Sequence, residues 1–268
     1  MKNDNKRKEI IPPFKRPIFL MIITFVGGYM NGYTYITRNE ILANMHTANM
    51  SKLGINIALG NYIEALHYFI PIIACILGAA FSELVKTIII KTKFKGEWRI
   101  LALLLEATVL FFIGLIPSSF PDIIVTNLVS FLMGYQLCLF RDCLGIPFNT
   151  TICTGNIRNV GQLLFQALDE KSIKTLEKLI YFTALTFSFA IGAIPGTLIS
   201  LVLNTKAVWI CSGILFIQAI WINNSKYNKV QWKIIIVPYF KLFKYLFIYL
   251  FYRFINIISF YIWIIIFF

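Results

Sequence analysis

Long apolar runs separated by short basic bands dominate the chain. Runs near the ~20 apolar residues that a bilayer core requires fall at roughly 17–37, 67–90, 98–117, 121–140, 179–203 and 207–223. They predict an all-α polytopic membrane protein with six transmembrane helices. The first run follows a basic start (Lys6, Arg7, Lys8, Lys15, Arg16) and so superficially resembles a signal peptide. It lacks a small-residue cleavage site and further spans follow it, so it is expected to stay uncleaved. The pattern changes after residue 229. Residues 230–268 hold no Gly, Ala or acid, and 24 of these 39 residues are Ile, Phe or Tyr. Lys241, Lys244 and Arg253 suit a basic aromatic helix lying among headgroups. Residues 245–268 are also long enough to cross as a seventh span, and an AT-rich coding stretch outside its original frame would give the same composition.

Composition agrees with the pattern. The chain is 58% hydrophobic and 14% charged, with a mean hydropathy of +0.74, against ~45–50% and ~25% for soluble domains. Twenty-five Phe and 13 Tyr exclude a solvated disordered chain. So few charges could not wet a soluble globule of this size. The formal charge of +13 would suggest nucleic acid in a soluble protein. Here the cations sit in bands between spans, so no nucleic-acid partner is expected and the lipid bilayer is the solvent. With the N-terminus cytoplasmic, 22 of the 25 basic residues fall inside, leaving Arg38, Lys52 and Lys206 outside. The expected location is the plasma (inner) membrane.

The chain also repeats itself. Phe25, Gly28 and Tyr29 recur as Phe131, Gly134 and Tyr135 at an offset of 106. Thr47, Asn49 and Gly54 recur as Thr154, Asn156 and Gly161 at 107, and Gly78 recurs as Gly192 at 114. Each copy holds three spans, an odd number, so the second enters the membrane from the opposite side. The expected organisation is a basic cytoplasmic N-terminus (1–16), repeat one (17–117), repeat two (118–228) and an aromatic basic tail (229–268). Such a 3+3 inverted repeat is a building plan of secondary transporters, with the binding site where the repeats meet.

Two mildly polar segments, 41–60 and 146–168, are too apolar for solvated loops. Each is expected to run in extended, turn at Thr-x-Asn and continue as a discontinuous or re-entrant half-helix. Such backbone is tolerated at membrane depth only when buried in protein or lining a cavity. Thr47, Asn49, Thr154 and Asn156 are candidates to cap those helices, or to meet substrate there with Gly155 allowing close approach. A helix start favours an anion or a polar group. Asn31, Gln136 and Gln218 are uncharged polar groups within spans, the first two being further substrate-binding candidates. Gly27, Gly28 and Gly32 form a small-residue face suited to close helix packing.

A charge near the bilayer centre costs at least ~2.5–3.5 kcal/mol, so ionisable residues there are functional candidates. Glu106, ninth residue of the third run, is the clearest, either as a proton-coupling group or as a clamp between helices. Glu83 beside Lys86 suits an interfacial ion pair, and His46 and His67 suit structural or interfacial roles. Five cysteines show no CxxC pair and no His at ligand spacing, so neither disulfide nor metal site is expected. HExxH, GxSxG, GxxxxGK[ST] and paired carboxylates on one span are missing, so the chain is not read as an enzyme and no cofactor is implied.

Gly27-Gly28 with Asn31, Thr47-Ala48-Asn49, Gln136 and Thr154-Gly155-Asn156 resemble the YoaK-like membrane proteins of bacteria, over roughly residues 18–228. The resemblance implies a six-span protein of unsettled activity. It departs where relatives often carry Asp, here Asn31, and TGN, here Thr47-Ala48-Asn49. The expected function is secondary transport of a small polar or anionic solute by alternating access. The alternative is a non-transporting membrane component that binds lipid or a partner protein. Homo-oligomerisation stays open.

Overall fold

The computed structural model describes residues 11–38, 42–92 and 94–225, with Tyr239, Lys244 and Tyr245. The expected roles of the basic N-terminal residues 1–10, and of nearly all the aromatic tail, lie outside the described residues.

Among the described residues there are eight α-helices: α1 (Pro17–Thr37), α2 (His46–Ala58), α3 (Tyr62–Lys91), α4 (Trp98–Ile113), α5 (Asp122–Leu139), α6 (Thr154–Glu170), α7 (Ile173–Leu203) and α8 (Val208–Asn224). Two two-residue strands, β1 (Asp142–Cys143) and β2 (Ile146–Pro147), pair antiparallel before α6. Their turn places Leu144 and Gly145 at φ 53° and 79°, the conformation that two-residue hairpin turns need. Six of the helices coincide with the six apolar runs.

Among the described residues, three stretches are long and apolar enough to cross a membrane: α3, α5 and the Ile173–Asn224 stretch, which a 3₁₀ turn divides into α7 and α8. Their length and composition are those of a membrane protein. α3 and α7 turn large apolar side chains outward, among them Ile63, Ile76, Ile90, Phe187, Ile194 and Leu201. In water that band would be an aggregating patch, whereas lipid tails wet it. α1 is the opposite case: an unbroken run from Val26 to Thr34 is buried, as befits a central helix hydrophobic all round.

The packing follows a pattern. α1 lies along α7, α3 along α5, and α4 along α8, while the short helices α2 and α6 lean on α3 and α7. Glycines set the two long contacts. Gly28 of α1 faces the Phe189 carbonyl of α7, and Gly192 of α7 faces the Phe25 carbonyl of α1. Gly134 of α5 faces the Cys75 carbonyl of α3, and Gly78 of α3 faces the Phe131 carbonyl of α5. A methyl group at any of the four would collide with backbone, so close approach explains the glycines here.

Polar contacts tie the helix ends. Arg38 at the end of α1 pairs with Asp122 at the start of α5 at 3.3 Å. Trp209 at the start of α8 donates its Nε1–H to the Phe111 carbonyl near the end of α4 at 3.0 Å. At the opposite end, Lys15, Glu83, Lys86, Arg99, Arg141 and Asp142 share the lining of a cavity of about 230 Å³. Glu83 pairs there with Lys86 at 3.3 Å and with Arg141 at 2.8 Å.

Candidate functional site

The site is built on one face of α1. Ile23, Gly27 and Asn31, spaced four apart, stand above one another on a helix. The side-chain amide of Gln136 in α5 donates to the Ile23 carbonyl at 3.3 Å. One turn on, Asn44 Nδ2 donates to the Gly27 carbonyl at 3.2 Å. Gly27 also lies under Thr150, whose carbonyl oxygen would sit 2.8 Å from a Cβ placed there. Asn44 belongs to the turn leading into α2, and Thr150 to the irregular segment leading into α6. The two lead-ins, one from each half of the chain, therefore meet at Gly27.

Each lead-in is fastened by side chains, because irregular backbone cannot satisfy its own polar groups inside a protein. Ser130 of α5 donates its hydroxyl to the Ala43 carbonyl at 2.6 Å. In the second lead-in, Asn156 mimics a strand partner for Asn149. It accepts the Asn149 N–H at 3.1 Å and donates to the Asn149 carbonyl at 2.7 Å. Asn159 donates to the Pro147 carbonyl at 2.7 Å. A Cβ on Gly155 would stand 2.9 Å from the Asn149 side chain, so its absence leaves room for this fold-back. Asn156→Ala removes both bonds to Asn149 and leaves two part-buried backbone groups unmet. It is expected to cost about 2–4 kcal/mol, read as a lower melting temperature of the purified protein.

Several buried polar atoms at this meeting point have no partner among the described residues: Asn31 Oδ1, Asn44 Oδ1, Thr150 Oγ1 and Gln136 Oε1. Asn49 Nδ2 and both ring nitrogens of His46 also lack one. Each such group costs about 1–3 kcal/mol when left dry, so together they form a ready set of donors and acceptors for a polar guest.

The sequence-predicted residues divide accordingly. Asn31 lies on this face of α1, Gln136 reaches it from α5, and Asn49 and Asn156 are buried. Thr47 and Thr154 are exposed and stay out of the cluster. No side chain caps α2 or α6, whose preceding residues are Met45 and Cys153. The expected capping role for Thr and Asn is thus replaced, at Asn156, by a clamp on the lead-in. The helices α2 and α6 themselves are largely exposed, and the buried irregular backbone is the segment before each.

Glu106 lies elsewhere, on α4 against α8. It is fully buried, and neither carboxylate oxygen has a partner among the described residues. Tyr135 and Cys211 are within electrostatic reach, and the Tyr135 hydroxyl donates to the Ala102 carbonyl at 3.0 Å. Ionising a buried carboxyl that no cation pairs and no donor bonds costs several kcal/mol. Consecutive residues of α5 bridge the two places, Tyr135 reaching α4 and Gln136 reaching α1. Asn44, Ser130, Thr150 and Asn159 carry the geometry although the sequence pattern does not single them out. The run Asn149-Thr150-Thr151 amid apolar residues was the available signal. Among the described residues no His, Cys, Asp and Glu gather into a group able to hold a metal.

No curated protein and no solved structure matches the chain. The family described as "Protein of unknown function (DUF1275)" matches residues 19–221, from α1 into α8. The chain belongs to this family of unknown function.

Proposed function

We propose that the protein is a secondary transporter of a small polar or anionic solute, working by alternating access between two inverted three-span repeats. The observation that carries this reading is the meeting of the two lead-ins over Gly27, among buried polar atoms without partners. Transporters place irregular backbone at the repeat interface because only there can its free groups serve a substrate.

The packing supports the repeat. Exchanging α1 with α5, α3 with α7 and α4 with α8 maps the three long helix pairs α1–α7, α3–α5 and α4–α8 onto themselves. The glycine contacts obey the same exchange: Gly28 on Phe189 becomes Gly134 on Cys75, at the sequence offsets of 106 and 114. α1, α3 and α4 then correspond to α5, α7 and α8 with opposite direction through the bilayer, the N-terminus being cytoplasmic. The likeness to YoaK-like proteins belongs to this reading.

The test is uptake in proteoliposomes, with candidate solutes chosen by comparing metabolites of deletion and overexpressing cells. Uptake of intact solute supports transport, and chemical turnover of it, or the absence of any transported solute, contradicts it. Glu106→Gln is expected to keep the fold while removing the response of uptake to an imposed pH gradient. A pH-gradient response equal to that of the unmodified protein would remove Glu106 from the coupling role.

A further inference from the structure

A second polar feature is not used by the Gly27 site. Arg38 closes α1 and its side chain is 0% exposed; Nη1 pairs with Asp122 at 3.3 Å, and the Tyr33 hydroxyl lies within reach of the guanidinium. Among the described residues, Nε and Nη2 are buried without a hydrogen bond. These two nitrogens lie on one edge of the guanidinium and point their N–H bonds in parallel. That edge is the fork that receives two oxygens of one anion. A half-paired buried guanidinium is costly, so leaving the stronger edge empty calls for an occupant.

The surroundings indicate which. Thr126 follows Asp122 by one turn on α5, so both lie on one helix face. It is 1% exposed and its hydroxyl has no partner. The next residue on that face, Ser130, holds the lead-in at Ala43. A polar track of Asp122, Thr126 and Ser130 therefore follows one face of α5, from the Arg38 pair to the lead-in at the Gly27 site. The Asp122 carboxylate opposes any anion at this edge, and a dianion more strongly than a monoanion, so a singly charged carboxylate is favoured over a phosphate dianion.

We infer that the Nε–Nη2 edge of Arg38, with the Thr126 hydroxyl, is a binding site for a monocarboxylate at the end of the track leading to Gly27. As a statement about the transported solute, this rests on the transporter reading and narrows it to carboxylates.

The experiment uses the full chain in detergent, titrated with acetate, lactate and benzoate, with sodium chloride and phosphate as controls, following melting temperature and calorimetric heat. At least one carboxylate is expected to raise the melting temperature where equal chloride does not. Arg38→Lys keeps the charge but loses the fork, and should weaken binding about tenfold or more. Asp122→Asn retains the fork and should bind at least as tightly as the unmodified protein. No carboxylate effect, preference for phosphate, or unchanged affinity in Arg38→Lys would overturn the site. Uptake of the bound carboxylate in proteoliposomes separates the two claims. Binding without uptake contradicts transport and leaves the fork standing, and uptake untouched by Arg38→Lys contradicts the fork alone.

Discussion

Gly28→Val is expected to prevent the protein from assembling. The new side chain would point into the Phe189 carbonyl of α7, and backbone in the middle of two long packed helices cannot yield as a flexible side chain would. Overpacking costs typically about 1–3 kcal/mol and exceeds this where backbone must shift. A loss of 3 kcal/mol or more is a large part of a domain's whole stability. Gly134→Val should behave alike, because Gly134 meets the Cys75 carbonyl in the equivalent way. Gly161 on α6 has nothing within 4 Å of the added carbon, so Gly161→Ala should be neutral or stabilise by up to about 1 kcal/mol. Fluorescence-detected size-exclusion of the three variants reads the difference. A monodisperse Gly28→Val protein with an unchanged melt would refute the packing account.

The second large effect is expected at Asn31, and it separates function from stability. Asn31 is 5% exposed and its Oδ1 has no partner. Asn31→Leu deletes an unmet acceptor that costs about 1–3 kcal/mol and nearly preserves the volume, so the melting temperature should hold or rise. If that acceptor serves the solute, uptake should fall about tenfold or more. Asn156→Ala should show the reverse order, with stability lost first. Unimpaired uptake in Asn31→Leu would remove Asn31 from the site.

How far the sequence reaches can be seen at particular residues. The run at 17–37 coincides with α1, because lipid-length apolar content and helix length agree there. α3 starts at Tyr62 rather than 67, and α7 at Ile173 rather than 179, so both helices continue through Glu64, His67, Lys174 and Glu177. Hydropathy reports which part of a helix is apolar, whereas its end is set by backbone hydrogen bonds. The offsets of 106 and 114 were legible because glycines forced by close packing cannot drift.

The lead-ins were less legible. Their conformation rests on single side-chain bonds from Ser130, Asn156 and Asn159 to distant backbone, which leave no periodic trace. Arg38 counted only as one of three outside cations, because composition does not show that a guanidinium is buried and half paired. In the Thr-x-Asn motifs the threonines are exposed and the asparagines buried, and the further buried polar groups Asn44 and Thr150 lie a few residues upstream in each half.

The account turns on the two halves having opposite orientation in the membrane. The most direct measurement is a pair of topology reporters, one fused after residue 60 between α2 and α3, the other after residue 170 at the end of α6. An exported enzyme should be active at 60 and inactive at 170, with a cytoplasmic fluorescent reporter giving the converse. Finding both positions on the same side of the membrane would contradict the inverted repeat and the transport mechanism built on it.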